Sequence, residues 1–177
     1  IARLEGKVVR VEAALTGDTV IAQIHRIKSR WMQARVLEVL TPSTDRIAPV
    51  CIHYDSCGGC RLQHATYVAQ LQYKQKQVTD AMERIGQIEI GEVRPILGAP
   101  EPYFYRNKLE YTFSNKRWLT EEEIKSSEVF ERSALGFHVP KAFDKIVEIE
   151  TCHLLDDRHN AIRNAVRSYA LEHQLSF

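Results

Sequence analysis

The chain has 177 residues, 44% hydrophobic and 27% charged, with 24 Lys and Arg against 23 Asp and Glu for a net charge of +1. That length and apolar content suffice for the core of one or two domains, and so balanced a charge excludes attachment to nucleic acid by overall charge alone. No apolar run of roughly 18 residues is present, and IARLEGKVVRV at the start lacks the features of a signal peptide, so the expectation is a soluble, cytoplasmic protein with no membrane partner.

Residues 1 to 45 read as short strands. KVVRV, TVIAQIHRI and ARVLEVL are rich in Val and Ile, and Gly6, Thr16-Gly17-Asp18 and Lys28-Ser29-Arg30 supply turns. Val20, Ala22 and Ile24 alternate with Ile21, Gln23 and His25, as a half-buried strand requires. So many short strands in so few residues predict a small barrel. Its basic stretch, HRIKSRWMQAR from His25 to Arg35, carries Arg26, Lys28, Arg30 and Arg35 around Trp31 without an acid. Lys28 and Arg30 are candidates to grip phosphate and Trp31 to stack on a base; the alternative is a solvated hairpin tip with the tryptophan packed beneath it.

TPSTDRIAP, with Pro42 and Pro49, breaks the strand pattern and places a domain boundary before Cys51. Beyond the cysteines the period changes. Val68, Leu71, Gln75, Val78, Met82 and Ile85 recur at three and four, predicting a helix over 66–85 with Gly86 as its C-terminal cap. YFYRNKLEYTF, residues 103–113, alternates aromatic and polar residues like a strand, and LGFHV and KIVEIE predict two more. EEEIKSSEVFER, residues 121–132, sets five acids against Lys125 and Arg132. A last helix is predicted from about residue 157, capped by Asp156 or Asp157 and running through Ile162, Val166 and Tyr169. The fold class is α+β.

CIHYDSCGGC, residues 51–60, holds three of the four cysteines in a C-x5-C-x2-C pattern, and Cys152 stands far down the chain. Disulfides need an oxidising compartment, to which nothing in the sequence points. The glycines of CGGC instead let the backbone fold closely around a metal and aim N–H groups at sulfur. Structural zinc usually takes two short-spaced pairs, and only Cys57 with Cys60 forms one. Three clustered cysteines plus a remote one match the iron–sulfur arrangement, with a spacer one residue longer than the plant type. Spacing alone leaves both metals open. His53, His64 and His153 lie beside cysteines and are read as neighbours of the site.

These residues resemble the S-adenosylmethionine-dependent uracil-5 methyltransferases that modify ribosomal and transfer RNA, the 23S rRNA branch above all. The resemblance rests on DRIAPVCIHYDSCGGCRLQHATYVAQLQYKQ, YRNK at 105–108, LGFH at 135–138 and EIETCHL around Cys152. It implies a TRAM domain over 1–48, an OB-like barrel that binds RNA, followed by part of a central α/β domain over 49–177. It implies that Cys51, Cys57, Cys60 and Cys152 hold a [4Fe–4S] cluster. Ribosomal RNA is the implied partner, met by Lys28, Arg30 and Trp31 and by Arg106, Asn107 and Lys108 of the YRNK match.

One departure is large. Methylation at C5 needs a nucleophile, normally a cysteine thiolate, to add at C6, and a base to remove the C5 proton. No cysteine is left for that role, and the eight glycines form no methyl-donor loop. The family's Rossmann-like catalytic domain is absent. Starting on Ile with strand-like sequence, the chain is expected to be the N-terminal portion of a longer enzyme and inactive alone. S-adenosylmethionine then belongs to the full-length protein, whose C-terminal catalytic domain is a further partner. The alternative is a stand-alone, non-catalytic RNA-binding protein with a structural zinc or iron–sulfur site.

Overall fold

The computed structural model describes residues 1–126 and 128–175; Ser127, Ser176 and Phe177, inside the central domain expected over 49–177, lie outside the described residues. The described residues form two compact units, one of Ile1–Ala48 with His64–Val78 and the other of Pro49–Gln63 with Thr79 onward. Both strands and helices are present, a mixed α+β chain.

In the first unit, β1 (Ala2–Leu4), β2 (Lys7–Glu12), β3 (Thr19–Ile27) and β4 (Trp31–Thr41) form one sheet in the order β1-β2-β4-β3. Glu5 and Gly6, both at positive φ, turn β1 back along β2. β2 runs parallel to β4, Val8 opposite Trp31 and Glu12 opposite Arg35. β3 runs antiparallel to β4 with three register shifts, and such bulges add twist. The sheet therefore curls into an OB-like half-barrel where a small OB-like barrel was expected. One face buries Val9, Met32 and Ala34 with Val11 and Ala22 against them. Period-two alternation puts Arg10, Gln33 and Arg26, neighbours across three strands, on the other face.

Asp18 fastens this unit. Its fully buried carboxylate accepts from Leu15 N (2.6 Å), Ser43 N (2.9 Å), Arg46 Nε (3.0 Å) and Arg46 Nη2 (2.6 Å), tying the β2–β3 turn to the exit of β4. Arg46 above all, with the two backbone donors, holds the Asp18 carboxyl well below the usual carboxylate range against the opposing effect of burial.

The predicted helix over 66–85 is α1 (Tyr67–Asp80) continued by a π-helical turn, Ala81–Ile85, that Gly86 closes by donating to Ala81 O at 2.9 Å. Gly86 is the C-terminal cap as expected, in the right-handed region at φ −72°. The apolar stripe is not the covered face: Val68 is 65% and Ile85 83% exposed, and the helix buries Ala69.

The second unit is built on a three-stranded antiparallel sheet of β5 (Thr112–Ser114), β6 (Ala134–Val139) and β7 (Ala142–Glu148), in the order β5-β6-β7. β6 and β7 occupy the LGFHV and KIVEIE stretches. A Cβ on Gly136 would run into the Val147 carbonyl, so only glycine lets β7 approach there. The strand expected over 103–113 is reduced to β5. Phe104 takes a positive φ of 56°, and Phe104 N and Arg106 N donate instead to His153 O (2.8 Å) and Leu154 O (2.9 Å). α2 (Glu121–Lys125) opens with a reciprocal Thr120–Glu123 capping box. α3 (Asp157–Glu172) is capped by Asp156, whose carboxylate accepts from His159 N at 3.1 Å. Of its residues Asn160, Arg163 and Ala170 are buried, while Ile162 is 63% exposed and Val166 and Tyr169 also face out. The unit's core is Val139, Val147, Ile149, Cys152 and Leu154, packed by Cys57, Cys60, Leu109, Tyr111 and Phe137.

Candidate functional site

The 51–60 segment is a run of tight turns. Tyr54 N donates to Cys51 O (3.1 Å), and Ser56 N and Cys57 N both donate to His53 O (3.2 and 2.8 Å). Gln63 Oε1 accepts from Cys51 N at 3.2 Å, fixing the start of the segment. Gly58 N donates to His138 O (3.3 Å), and a Cβ there would press to 3.0 Å from that oxygen, so CGGC lies flush against β6. Gly59 N points at the Cys57 sulfur, 3.4 Å away.

Cys152, just beyond β7, is held by α3. Asn160 is buried and grips the cysteine's own backbone twice: Oδ1 accepts from Cys152 N at 2.8 Å and Nδ2 donates to Cys152 O at 3.2 Å. With this placement all four predicted cysteines, each a free thiol, line one cavity of about 120 Å³, together with Tyr54, Leu109, Phe137 and Arg106. Among the described residues, no three His, Cys, Asp or Glu side chains stand in the geometry of a ready metal site. The thiols surround the space without yet converging on a point.

The donor set suits a thiophilic metal or an iron–sulfur cluster. Burial pushes the Cys57 thiol up to about 11 and raises Cys51 as well, with the neighbouring thiols adding to both. Cys51 and Cys57 are therefore held as neutral thiols near pH 7, and a metal bound there would displace their protons. His153 lines the cavity with its ring edge-on to Tyr103 and Phe104. His53 accepts from Glu150 N at 3.5 Å, and burial lowers its titration. His64 belongs to the first unit.

Tyr111 went unnoticed in the sequence. Its hydroxyl is buried with no hydrogen-bond partner among the described residues. Burial, then the neighbouring Cys152, pushes the phenol up to about 12. Nothing in a lone tyrosine among aromatics signals this.

In the first unit, Lys28 and Arg30 are exposed on the β3–β4 hairpin, closed by Lys28 N donating to Trp31 O at 2.9 Å. Trp31 is half-buried. Arg10 and Arg26 stand 5.8 and 5.4 Å from its ring, near enough for cation–π attraction. Arg10 was missed because it lies outside the basic stretch; only the parallel pairing of β2 with β4 brings it there. Arg106, Asn107 and Lys108 are exposed in the second unit, Arg106 at the cysteine cavity and Lys108 paired with Glu110 at 2.7 Å.

Comparison with known proteins gives the chain relatives. No family model matches it. It is 49% identical over 178 residues to an uncharacterized RNA methyltransferase of Bacteroides thetaiotaomicron, an alignment covering 100% of this chain and 39% of the relative. Uncharacterized RNA methyltransferases of Chlorobaculum tepidum and Porphyromonas gingivalis are 46% and 43% identical, each over 97% of this chain and over 36% and 38% of the relative. The chain thus spans little more than a third of the length of these relatives. Among solved structures, the tRNA (uracil-54, C5)-methyltransferase of Pyrococcus abyssi in complex with S-adenosyl-L-homocysteine aligns with a TM-score of 0.59 and 23% identity, over 95% of this chain and 33% of that one. This likeness is one of fold.

Proposed function

We propose that the chain is the RNA-recognition and cluster-bearing part of an S-adenosylmethionine-dependent RNA uracil-5 methyltransferase of the 23S rRNA branch. The observation that carries this reading is the meeting of Cys51, Cys57, Cys60 and Cys152 around one cavity, in a chain whose relatives bear the name of RNA methyltransferases. The four thiols are the proposed ligands of a [4Fe–4S] cluster. The fit rests on the all-sulfur donor set, the Gly59 N–H aimed at Cys57 and the orphaned Tyr111 hydroxyl beside them. Bound, the cluster supplies iron–sulfur bonds that tie the 51–60 segment to the end of β7 across a long stretch of chain, a structural role. Methyl transfer to C5 has no net redox step for it to serve.

RNA is met by Lys28, Arg30, Trp31, Arg106, Asn107 and Lys108, to which the sheet face of Arg10 and Arg26 is added. A cationic sheet face carrying an aromatic ring suits single-stranded RNA. S-adenosylmethionine and the methylation chemistry are assigned to the two-thirds of the longer relatives that this chain does not span, so the chain alone is inactive and the TRAM-like and central domains of 1–48 and 49–177 serve recognition. Purification without oxygen, with iron and acid-labile sulfide measured beside binding of ribosomal RNA, tests the reading. Iron and sulfide in matching amounts support it. Zinc without sulfide, or no preference for RNA, overturns it.

A further inference from the structure

Tyr111 buries a hydroxyl that has no hydrogen-bond partner of ordinary geometry among the described residues, its contact at the cysteine site being the weakly accepting Cys152 thiol. The ring is fixed on two sides: Phe137 lies 4.8 Å away centroid to centroid, and the Arg163 guanidinium stands 5.7 Å from its centre. Arg163 is itself buried, its side chain 3% exposed, with Nη1 donating to Leu135 O at 3.0 Å and facing Glu148 at 3.7 Å. Tyr111 also packs on the core group that contains Cys152, Cys57 and Cys60. A buried hydroxyl without a partner costs about 1–3 kcal/mol. Here it lies beside the sulfur of Cys152, which is a weak acceptor as a thiol and a strong one as a metal-bound thiolate.

We infer that Tyr111 is a positioning residue of the site, its O–H donating to the Cys152 sulfur once that sulfur is metal-bound. This rests on the cluster reading above. The donor withdraws electron density from one ligand and so favours the more reduced, more negative cluster, raising its reduction potential. Arg163 adds a fixed positive charge behind the ring in the same sense.

The test compares the anaerobically loaded wild-type chain with Tyr111→Phe, which keeps the ring and removes only the oxygen. Iron and sulfide are measured first, then the reduction potential and the iron–thiolate stretching bands in H2O and D2O. The variant is expected to load as much iron and sulfide as the wild type, with a more negative potential and a smaller D2O shift of those bands. Its unloaded form should melt at or above the wild-type temperature, because an unpartnered buried hydroxyl has gone. Equal potentials and equal isotope shifts in two loaded proteins overturn the role of Tyr111 and leave the cluster reading standing. A Tyr111→Phe chain that cannot fold unloaded also overturns it, since the hydroxyl would then serve the metal-free structure. A wild-type chain without iron and sulfide overturns both readings.

Discussion

Asn160→Ala removes the side chain that holds Cys152 in place, and its cost follows chiefly from the two hydrogen bonds to Cys152 that go with it, a third to Asp156 O at 3.4 Å being longer. Cys152 N, buried, is deprived of its acceptor at 2.8 Å, leaving an unsatisfied donor worth ~1–3 kcal/mol. Cys152 O is deprived of the donor at 3.2 Å but keeps Leu155 N at 3.4 Å, a smaller penalty of ~0.5–1.5 kcal/mol. A destabilisation of about 2–4 kcal/mol is expected, a large fraction of the ~5–15 kcal/mol that holds a typical domain. Urea titration of the metal-free chain, followed by circular dichroism, measures it, with Ile162→Ala on the same helix as the reference. Ile162 is exposed and should cost within ~0.5 kcal/mol. After loading, Asn160→Ala should also retain less iron. If Ile162→Ala costs more than Asn160→Ala, α3 is covered on its apolar stripe and the role given to Asn160 at Cys152 is wrong.

Asp18 predicts an acid limb. Its folded-state titration is depressed by Arg46, so the stability it contributes is present at neutral pH and drains away as pH falls below the ordinary carboxylate value of 3.8. Asp18→Asn should flatten that limb in urea titrations at successive pH values and lose about 2–3 kcal/mol at pH 7, less than the ~3–5 kcal/mol of a fully buried pair because Arg46 keeps some exposure. Gly136→Ala forces a methyl into the Val147 carbonyl and should cost about 3 kcal/mol or yield no soluble protein; a melting temperature near wild type would refute the close approach of β6 and β7. Cys152→Ser and Cys57→Ser should reduce iron loading equally, since each removes one ligand of one site, and unequal loss by more than a few-fold argues against a shared cluster. Changing Lys28 and Arg30 to Ala should weaken ribosomal RNA binding and flatten its salt dependence by ~0.7 log–log units per phosphate no longer held on a single strand. Arg106→Ala should instead lower discrimination against unrelated RNA, and filter-binding titrations over a salt series separate the two.

Local chemistry in the sequence determined a good deal: the β-rich first segment, the hairpin at Lys28-Ser29-Arg30, the helix capped by Asp156, and the tight turns of the three-cysteine segment at 51–60. These features depend on neighbours a few residues apart, where turn, cap and period act. The predicted strand over 103–113 failed for the complementary reason, because a strand needs partners, and Phe104 and Arg106 found theirs in the carbonyls of His153 and Leu154. Periodicity announced both long helices but not their buried faces. In α3 the covered side is polar, because Asn160 meets the backbone of Cys152 and Arg163 meets Leu135 O and Glu148, partners invisible from the helix's own sequence. Only the tertiary structure could bring Arg10 beside Trp31, through a parallel pairing of strands distant along the chain, or set Tyr111 against Cys152. Burial and hydrogen-bond satisfaction are decided between segments, and a one-dimensional pattern carries the needs of each segment without naming what meets them.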